Sequence, residues 1–225
     1  MAAQISNNAA AGLLWRLYEA APLPQRTLSA LRPFICPLGP ILDHIPAGAH
    51  VLDIGSGNGL FLSTMVAVQG IAQGTGVEVS ARAVQAARAV AERQRLPLQF
   101  LQVAHHEQWP RSRVDVVTMI DVMHHLPSPL RREFVEAAAE RLRPGGRFVY
   151  KDMDLRPRWR AAWNSVHDLL LARERVRLEP SSNVQAWALG AGLRQVHGSR
   201  YVACALYGHE LLVFEKPSEP AAISA

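Results

Sequence analysis

The stretch Val51-Leu-Asp-Ile-Gly-Ser-Gly-Asn-Gly-Leu-Phe-Leu62 decides the fold of this chain. Its first four residues predict a buried strand, and the apolar run over 60–68 predicts a helix. The three glycines between them leave backbone N–H groups at the helix start open to a ligand. The spacing differs from the dinucleotide fingerprint, because Leu60 follows directly on Gly59. The pattern predicts a nucleotide-binding loop, although a tight turn with nothing bound also fits the glycines alone.

The segments that follow alternate between strand and helix signals. Strands are predicted over 74–80, 98–103, 114–121 and 147–151, with helices over 81–95 and 130–142 between them. Ser80 is a favourable N-cap for the first of these helices. The second strand ends near Glu78, where a carboxylate can accept hydrogen bonds from two ribose hydroxyls. Such alternation predicts a doubly wound parallel sheet.

Later segments predict a helix over 182–190 and strands over 193–203 and 210–215. The residues Tyr207-Gly-His209 are short enough to form a hairpin-like return between those two strands. The tail after residue 216 has the composition of a disordered terminus.

The quoted residues resemble a known family. Asp53, Gly55, Gly57, Gly59 and Glu78 resemble the first two motifs of the class I S-adenosylmethionine-dependent methyltransferases. Residues 114–126 resemble that family's fourth strand, and residues 142–150 resemble its turn into the fifth. The four motifs stand in the family's order over residues 49–152, while the first fifty residues and about 155–180 lie outside the resemblance. It implies an α/β fold of three αβα layers, a mostly parallel sheet with an antiparallel C-terminal strand, and S-adenosylmethionine as cofactor.

Three parts are predicted along the chain. Residues 1–46 form an N-terminal helical lid, residues 47–216 a Rossmann-like methyltransferase domain with a helical substrate-side insertion at 152–180, and residues 217–225 a disordered tail. In the lid, helices are predicted over 9–20 and 25–32, and the proline-rich stretch 33–40 is not expected to form a regular long helix. Trp15, Tyr18 and Phe34 face an apolar acceptor if the segment is a lid. Padding of the sheet, or contact of the arginine-bearing segment with a membrane surface, are the alternatives.

The resemblance assigns the cofactor contacts. The glycine loop binds the methionine part and Glu78 the ribose, while Asp53 orients the loop, reaches the ammonium group or acts only as a loop staple. Ala104 stands where the family commonly has an acid for the adenine amino group, so that contact passes to His105, Glu107 or backbone. Trp109 either covers the adenine ring or lies in the core. The predicted cofactor residues are Asp53, Gly55, Ser56, Gly57, Asn58, Gly59, Glu78, Val79, His105 and Asp121.

The acceptor half of the site is predicted from histidines and from the unmatched segments. His124 and His125 follow the fourth strand, at the sheet edge where ligands bind, and histidine suits removal of a hydroxyl proton. They can equally shape the pocket without chemistry. A predicted helix over 157–177 places Asn164, His167 and Asp168 on one face. The catalytic candidates are His124, His125 and His167, and the substrate-binding candidates are Trp15, Tyr18, Asp152, Trp163 and Asn164. No three metal ligands stand in a recognisable spacing, which disfavours a metal mechanism.

Composition limits the setting. The 225 residues carry a formal charge of +5, mostly from arginine, since Lys151 and Lys216 are the sole lysines. This bias reflects either coding preference or an acidic substrate or carrier-bound partner. Two distant cysteines favour a reducing cytoplasm, and neither a secretory signal nor a membrane-spanning run is evident. The oligomeric state has no sequence signal.

The predicted function is methyl transfer from S-adenosylmethionine to a small, aromatic or lipid-like acceptor in specialised or lipid metabolism, with oxygen favoured as the methylated atom. The alternatives are carbon methylation of an electron-rich ring or carrier-bound chain, nucleic-acid methylation, and a non-catalytic cofactor-binding partner. Nucleic acid is disfavoured because the arginines are scattered and Asp121-Val-Met-His124 is unlike the motif of base amino-methylating enzymes.

Overall fold

The computed structural model describes residues 5–154, 179–204 and 207–218. Its helices are α1 (Asn7–Leu17), α2 (Leu23–Ile35), α3 (Gly39–Leu42), α4 (Leu60–Gln69), α5 (Ala81–Arg93), α6 (Ser128–Glu140) and α7 (Ser181–Gly190). Its strands are β1 (His50–Ile54), β2 (Gln73–Glu78), β3 (Leu98–Gln102), β4 (Val114–Ile120), β5 (Leu142–Met153), β6 (Arg194–Ala203) and β7 (Tyr207–Glu215). Short 3-10 turns follow β3 and β4, at His106–Gln108 and Met123–His125.

All seven strands form one sheet in the order β3-β2-β1-β4-β5-β7-β6. The pairs from β3 across to β5 are parallel, while β7 runs antiparallel to both β5 and β6. The order reverses between β1 and β4, which is where open sheets bind ligands at the carboxyl ends of their strands. The predicted α/β fold with an antiparallel C-terminal strand is confirmed.

Helices cover both faces of the sheet. One core contains side chains from α1, α3, α4 and α5, including Leu14, Met65 and Val84, packed on Val149 and Val213 of the sheet. The other core joins α6 and α7 to the opposite face, as Phe134, Val184 and Phe148 show. The N-terminal helices therefore belong to the same layer as the helix that follows the glycine loop.

Local sequence explains most helix starts. Ser6 and Ser80 cap α1 and α5, because each hydroxyl oxygen accepts from the backbone N–H three residues later. Pro24 lies in the first turn of α2, where a missing N–H costs nothing.

The expectation that 33–40 forms no regular long helix is confirmed, since α2 ends at Ile35 and α3 covers only Gly39–Leu42. Pro33 lies in the last turn of α2, where its missing N–H costs one backbone hydrogen bond. One local prediction is wrong. Tyr207 to His209 belong to β7, where Tyr207 pairs with Ala203, so they are not the return between the two strands.

The predicted helix over 157–177, with Trp163, Asn164 and His167, lies outside the described residues, as do residues 219–225 of the predicted tail. Within the described ranges, no helix has the length and apolarity needed to cross a membrane.

Candidate active site

The glycine loop joins β1 to α4 at the point where the sheet order reverses. Gly55, Gly57 and Gly59 all have left-handed φ angles, of 68°, 53° and 81°. A Cβ on Gly55 would lie 2.4 Å from Val122 Cγ2, and one on Gly59 would lie 2.6 Å from Phe100 Cζ. A Cβ on Gly57 would have nothing within 4 Å. Two of the glycines thus allow close packing, whereas Gly57 borders open space.

Glu78 holds the loop to the end of β2. Its Oε2 accepts from Gly57 N at 3.0 Å and its Oε1 from Ser80 N at 2.9 Å. Each carboxylate oxygen has a second lone pair, so both can also accept from hydroxyl groups of a ligand. Glu78 therefore combines loop support with a capacity to bind a ribose.

A cavity of about 610 Å³ opens in front of this loop, within the usual size of a small-molecule site. Its walls come from α2, the glycine loop, the starts of α4 and α5, and the end of β4. The lining residues are Pro24, Gln25, Leu28, Ser29, Arg32, Gly55, Ser56, Gly57, Asn58, Leu60, Phe61, Ser80, Arg82, Ala83, Ala86, Ile120 and Asp121. Of the predicted cofactor residues, Gly55, Ser56, Gly57, Asn58 and Asp121 line it directly.

Asp53 points into the sheet. It is 2% exposed and accepts from Thr118 Oγ1 at 2.6 Å, which ties β1 to β4. Burial raises the pKa of this carboxyl to about 7, the Thr118 hydrogen bond opposing the shift. This hydrogen bond joins two strands, so the roles of Asp53 in holding the loop or reaching the cofactor stay predictions.

Asp121 ends β4 in a strained conformation, with φ of 56°. Its carboxylate accepts from Lys151 Nζ at 2.6 Å and from Arg32 at 2.7 Å, and its N–H donates to the Lys151 carbonyl. These cations outweigh burial and hold the pKa of Asp121 well below its usual range. Arg32 belongs to α2, so this carboxylate at the cavity wall also fastens the N-terminal helices to the sheet.

Tyr18 is fully buried, and its hydroxyl donates to the Asn58 carbonyl at 2.8 Å. The Asn58 side chain in turn donates to Ser29 Oγ at 3.3 Å. Trp15 is 39% exposed and lies under the Arg26 guanidinium, 3.9 Å from the ring centre. Tyr18 therefore contacts the glycine loop. Neither Tyr18 nor Trp15 lines the cavity, and their role in binding an acceptor stays a prediction.

His124 and Asp152 form a buried pair at the ends of β4 and β5. His124 Nδ1 lies 2.5 Å from Asp152 Oδ1, and the two side chains are 2% and 7% exposed. Asp152 also accepts from Met153 N. His125 is exposed, with its ring centre 4.1 Å from that of His124. The structure thus brings His124 and Asp152 into contact, but none of these three residues lines the cavity, and their roles stay predictions.

The loop after β3 is stabilised from within. Gln108 Oε1 accepts from the N–H groups of Ala104 and His105, and the His105 side chain accepts in return from the turn. Trp109 is buried and packs edge-on against Phe134 at 5.1 Å, so it is a core residue. His105 and the exposed Val79 do not line the cavity, and their cofactor role stays a prediction.

The cavity fits S-adenosylmethionine at two points of this chain. Gly57 faces open space, and Glu78 presents carboxylate oxygens beside it. Ser56 also lines the cavity, but its Oγ is buried beside Gly76 of β2. An open cradle and a ribose-type acceptor together suit a polar adenosyl ligand better than an empty turn.

The comparisons with known proteins decide the family. A family model described as a methyltransferase domain matches residues 25–197. The chain belongs to the class I S-adenosylmethionine-dependent methyltransferases. The predicted cofactor, S-adenosylmethionine, is confirmed with the family.

Two named relatives share sequence with about half of this chain. The chain is 32% identical over 119 residues to a ubiquinone biosynthesis O-methyltransferase of Photorhabdus laumondii, covering 52% of this chain and 46% of that protein. A Cronobacter sakazakii protein of the same name is 33% identical over 109 residues, 48% of this chain and 43% of that protein. The chain thus spans about half the length of these curated relatives.

Solved structures share the fold at low identity. Magnesium protoporphyrin IX methyltransferase of Synechocystis, with bound S-adenosylhomocysteine, superposes with a TM-score of 0.64 at 16% identity, covering 93% of this chain and 95% of that one. A complex of a Haloferax volcanii methyltransferase with the activator Trm112 gives 0.70 at 18% identity, covering 90% and 97%.

Sequence reasoning missed the contribution of α2 to the site. Arg32 and Ser29 line the cavity, yet a single arginine or serine in a proline-rich stretch carries no motif. Lys151 gave a usable signal, because a lysine inside an apolar strand segment needs a buried partner.

Proposed function

We propose that this methyltransferase methylates a hydroxyl group of a small, aromatic or lipid-like acceptor, with His124 as the general base and Asp152 as its positioning residue. The pairing of His124 with Asp152 at the carboxyl edge of the sheet carries the proposal. Bound S-adenosylmethionine would supply an electrophilic methyl group on a positively charged sulfur. The chain's own task is then to bind, align, exclude water and accept one proton.

The tautomer of His124 follows from its partner. A carboxylate oxygen only accepts, so Nδ1 carries the proton that faces Asp152 Oδ1 at 2.5 Å. The other ring nitrogen, Nε2, would then accept the proton of the acceptor hydroxyl. Methyl transfer would form the oxygen–carbon bond as the carbon–sulfur bond breaks, and sulfur would keep that electron pair. The carboxylate stabilises the imidazolium that results.

Two features support the choice of acceptor. The curated relatives over the core region are O-methyltransferases of ubiquinone biosynthesis, which favours oxygen as the methylated atom. The cavity wall combines Arg32 and Arg82 with apolar side chains such as Leu28, Phe61 and Ile120. Such a wall suits an apolar acceptor, including an acidic or carrier-bound one.

The cofactor part is tested by calorimetric binding of S-adenosylmethionine. Gly57→Asp should abolish binding, because a carboxylate would fill the open cradle beside Glu78. Gly48→Asp is the matched control, since Gly48 also has a left-handed φ, of 72°, and open space around its Cβ position but does not line the cavity. Undiminished binding by Gly57→Asp would refute the cofactor position.

The acceptor part is tested by release of S-adenosylhomocysteine in a screen of phenols, aryl acids, and fatty and carrier-bound acids. On an accepted substrate, His124→Ala should lose about a hundredfold or more in kcat, the usual contribution of a general base. His197→Ala, on β6, should keep the wild-type rate. A His124→Ala variant that retains full activity would reject the base and favour methylation of an activated carbon instead.

The variant Asp152→Asn distinguishes a role of Asp152 in positioning His124 from a purely structural role. An asparagine can keep the hydrogen bond but not the charge, so the pH at which the rate reaches half its maximum should change along with kcat. A fall in activity without any change in the pH profile would assign Asp152 a structural role only.

A further inference from the structure

Helix α2 exposes apolar residues and buries polar or small ones. Leu23, Leu28 and Leu31 are 65%, 66% and 50% exposed, whereas Ser29 and Pro33 are buried. At about 100° per residue, the three leucines fall within an arc of about 140° on one side of the helix. A helix that only pads a sheet turns its leucines inward. The outward leucines therefore call for a function on the solvent side.

The neighbouring helix α1 adds an exposed tryptophan on the Arg26 side of α2. Trp15 is 39% exposed, and the Arg26 guanidinium lies over its ring and donates to its carbonyl. Four of the large apolar side chains exposed in the described part of the chain thus lie on α1 and α2. Such clustering differs from the single exposed apolar residues common on protein surfaces.

Charge around this face is positive. Residues 5–42 contain three arginines and one acidic residue, Glu19, which pairs with Arg93. Arg32 pairs inward with Asp121, so Arg16 and Arg26 supply the positive charge beside this face. Leucine and tryptophan side chains bordered by arginines match a surface that is apolar inside and negatively charged at its edge. This combination of side chains is complementary to an anionic bilayer surface, whereas docking of a protein partner would not by itself require a positive charge here.

We propose that the face formed by Trp15, Leu23, Leu28 and Leu31 docks on an anionic membrane surface. The leucines enter the boundary between headgroups and acyl chains, and Arg16 and Arg26 contact lipid phosphates. Because Pro24, Gln25 and Leu28 also line the cavity, docking places the cavity mouth beside the bilayer. A lipid-like acceptor could then enter without crossing water, a consequence that rests on the proposed function, whereas docking itself does not.

Co-sedimentation of the full chain with vesicles tests the proposal without methyl transfer. The wild type should bind vesicles of phosphatidylcholine with phosphatidylglycerol, and bind pure phosphatidylcholine vesicles more weakly. Raising the salt concentration should reduce binding to the anionic vesicles, because screening weakens the arginine contribution.

Leu23→Ser/Leu31→Ser should weaken binding to the anionic vesicles about tenfold or more, because two exposed leucines lose their transfer into the apolar layer. Neither residue lines the cavity. The matched control is Val196→Ser/Val202→Ser on β6, where the side chains are 41% and 48% exposed; it should bind as the wild type does. Thermal melting checks that both double variants fold.

Two results would overturn the proposal. One is an absence of wild-type binding to anionic vesicles at low salt, which would leave the face to a protein partner. The other is equal binding by the wild type and a folded Leu23→Ser/Leu31→Ser variant. Both results are independent of any acceptor, so they are distinct from failure of the proposed reaction.

Discussion

His209 makes a quantitative prediction about stability and pH. It is 3% exposed, and its Nε2 lies 2.7 Å from the Ile35 carbonyl oxygen. Because that oxygen only accepts, Nε2 carries the proton and Nδ1 the lone pair, and Nδ1 is buried without a partner. Burial, and then the nearby Lys151 cation, lower the pKa of His209 from 6.5 to about 4.

The direction follows from proton binding. The unfolded chain takes up a proton at His209 near pH 6.5, whereas the folded chain does so only near pH 4. Stability from the neutral ring is therefore fully present above pH 6.5 and is lost as the pH falls towards 4. At about 1.4 kcal/mol per pKa unit, the loss by about pH 4.5 is about 2 to 3 kcal/mol.

Urea denaturation of the wild type and His209→Gln at about pH 7 and about pH 4.5 measures this loss. Glutamine keeps an N–H donor for the Ile35 carbonyl but does not titrate. Contributions of other groups cancel when the two proteins are compared, so the wild type should lose about 2 to 3 kcal/mol more than the variant over this interval. Equal losses would refute the assignment of a buried neutral imidazole.

Three further predictions concern the cofactor half. Gly59→Ala should lower the free energy of unfolding, measured with denaturant, by about 2 kcal/mol or more, because its Cβ would meet Phe100 and its φ is left-handed. The control Gly190→Ala, whose Cβ would meet open space, should be neutral or slightly stabilising. Equal effects of the two substitutions would contradict the packing argument. The folded pKa of Asp53 is about 7 against an ordinary 3.8, so its contribution to stability is present at low pH and lost as the pH rises. The free energy of unfolding of the wild type should therefore fall by a few kcal/mol between about pH 4 and 7, and Asp53→Asn should not show this fall. An equal fall in the two proteins would refute the prediction. Tyr18→Phe should cost about 1 kcal/mol and weaken S-adenosylmethionine binding severalfold in calorimetry, since the Asn58 carbonyl loses its donor; unaltered affinity would show that the loop needs no support from α1.

The cofactor half was predictable because its signals are local in sequence. The glycine loop, the strand before it and Glu78 lie within residues 51–78, and each has a backbone reason for its residue type. The loop needs left-handed angles and close packing, which glycine alone supplies at Gly55 and Gly59. Sequence reasoning therefore found the fold, the family and the loop together.

The wall opposite the loop was not predictable, because its contacts join distant segments. Arg32 and Asp121 are 89 residues apart, and Tyr18 and Asn58 are 40 apart. No sequence periodicity relates such partners. From the sequence, an arginine in the N-terminal segment is expected to be a surface charge, and only the fold shows the carboxylate beside it. The same limit applies to the insertion over 155–178, which is outside the described residues.

These long-range contacts change what the N-terminal helices do. A lid that only covers the acceptor would touch the sheet edge weakly, yet α1 and α2 supply the donor for Asn58, a cation for Asp121 and a carbonyl for His209. Each of these contacts is buried or partly buried, so removing the segment would leave polar groups unpaired at the cavity wall. The inward side of α1 and α2 thus supports the cavity wall and the sheet beside it. Their outward side carries the exposed leucines that we propose dock on a membrane surface.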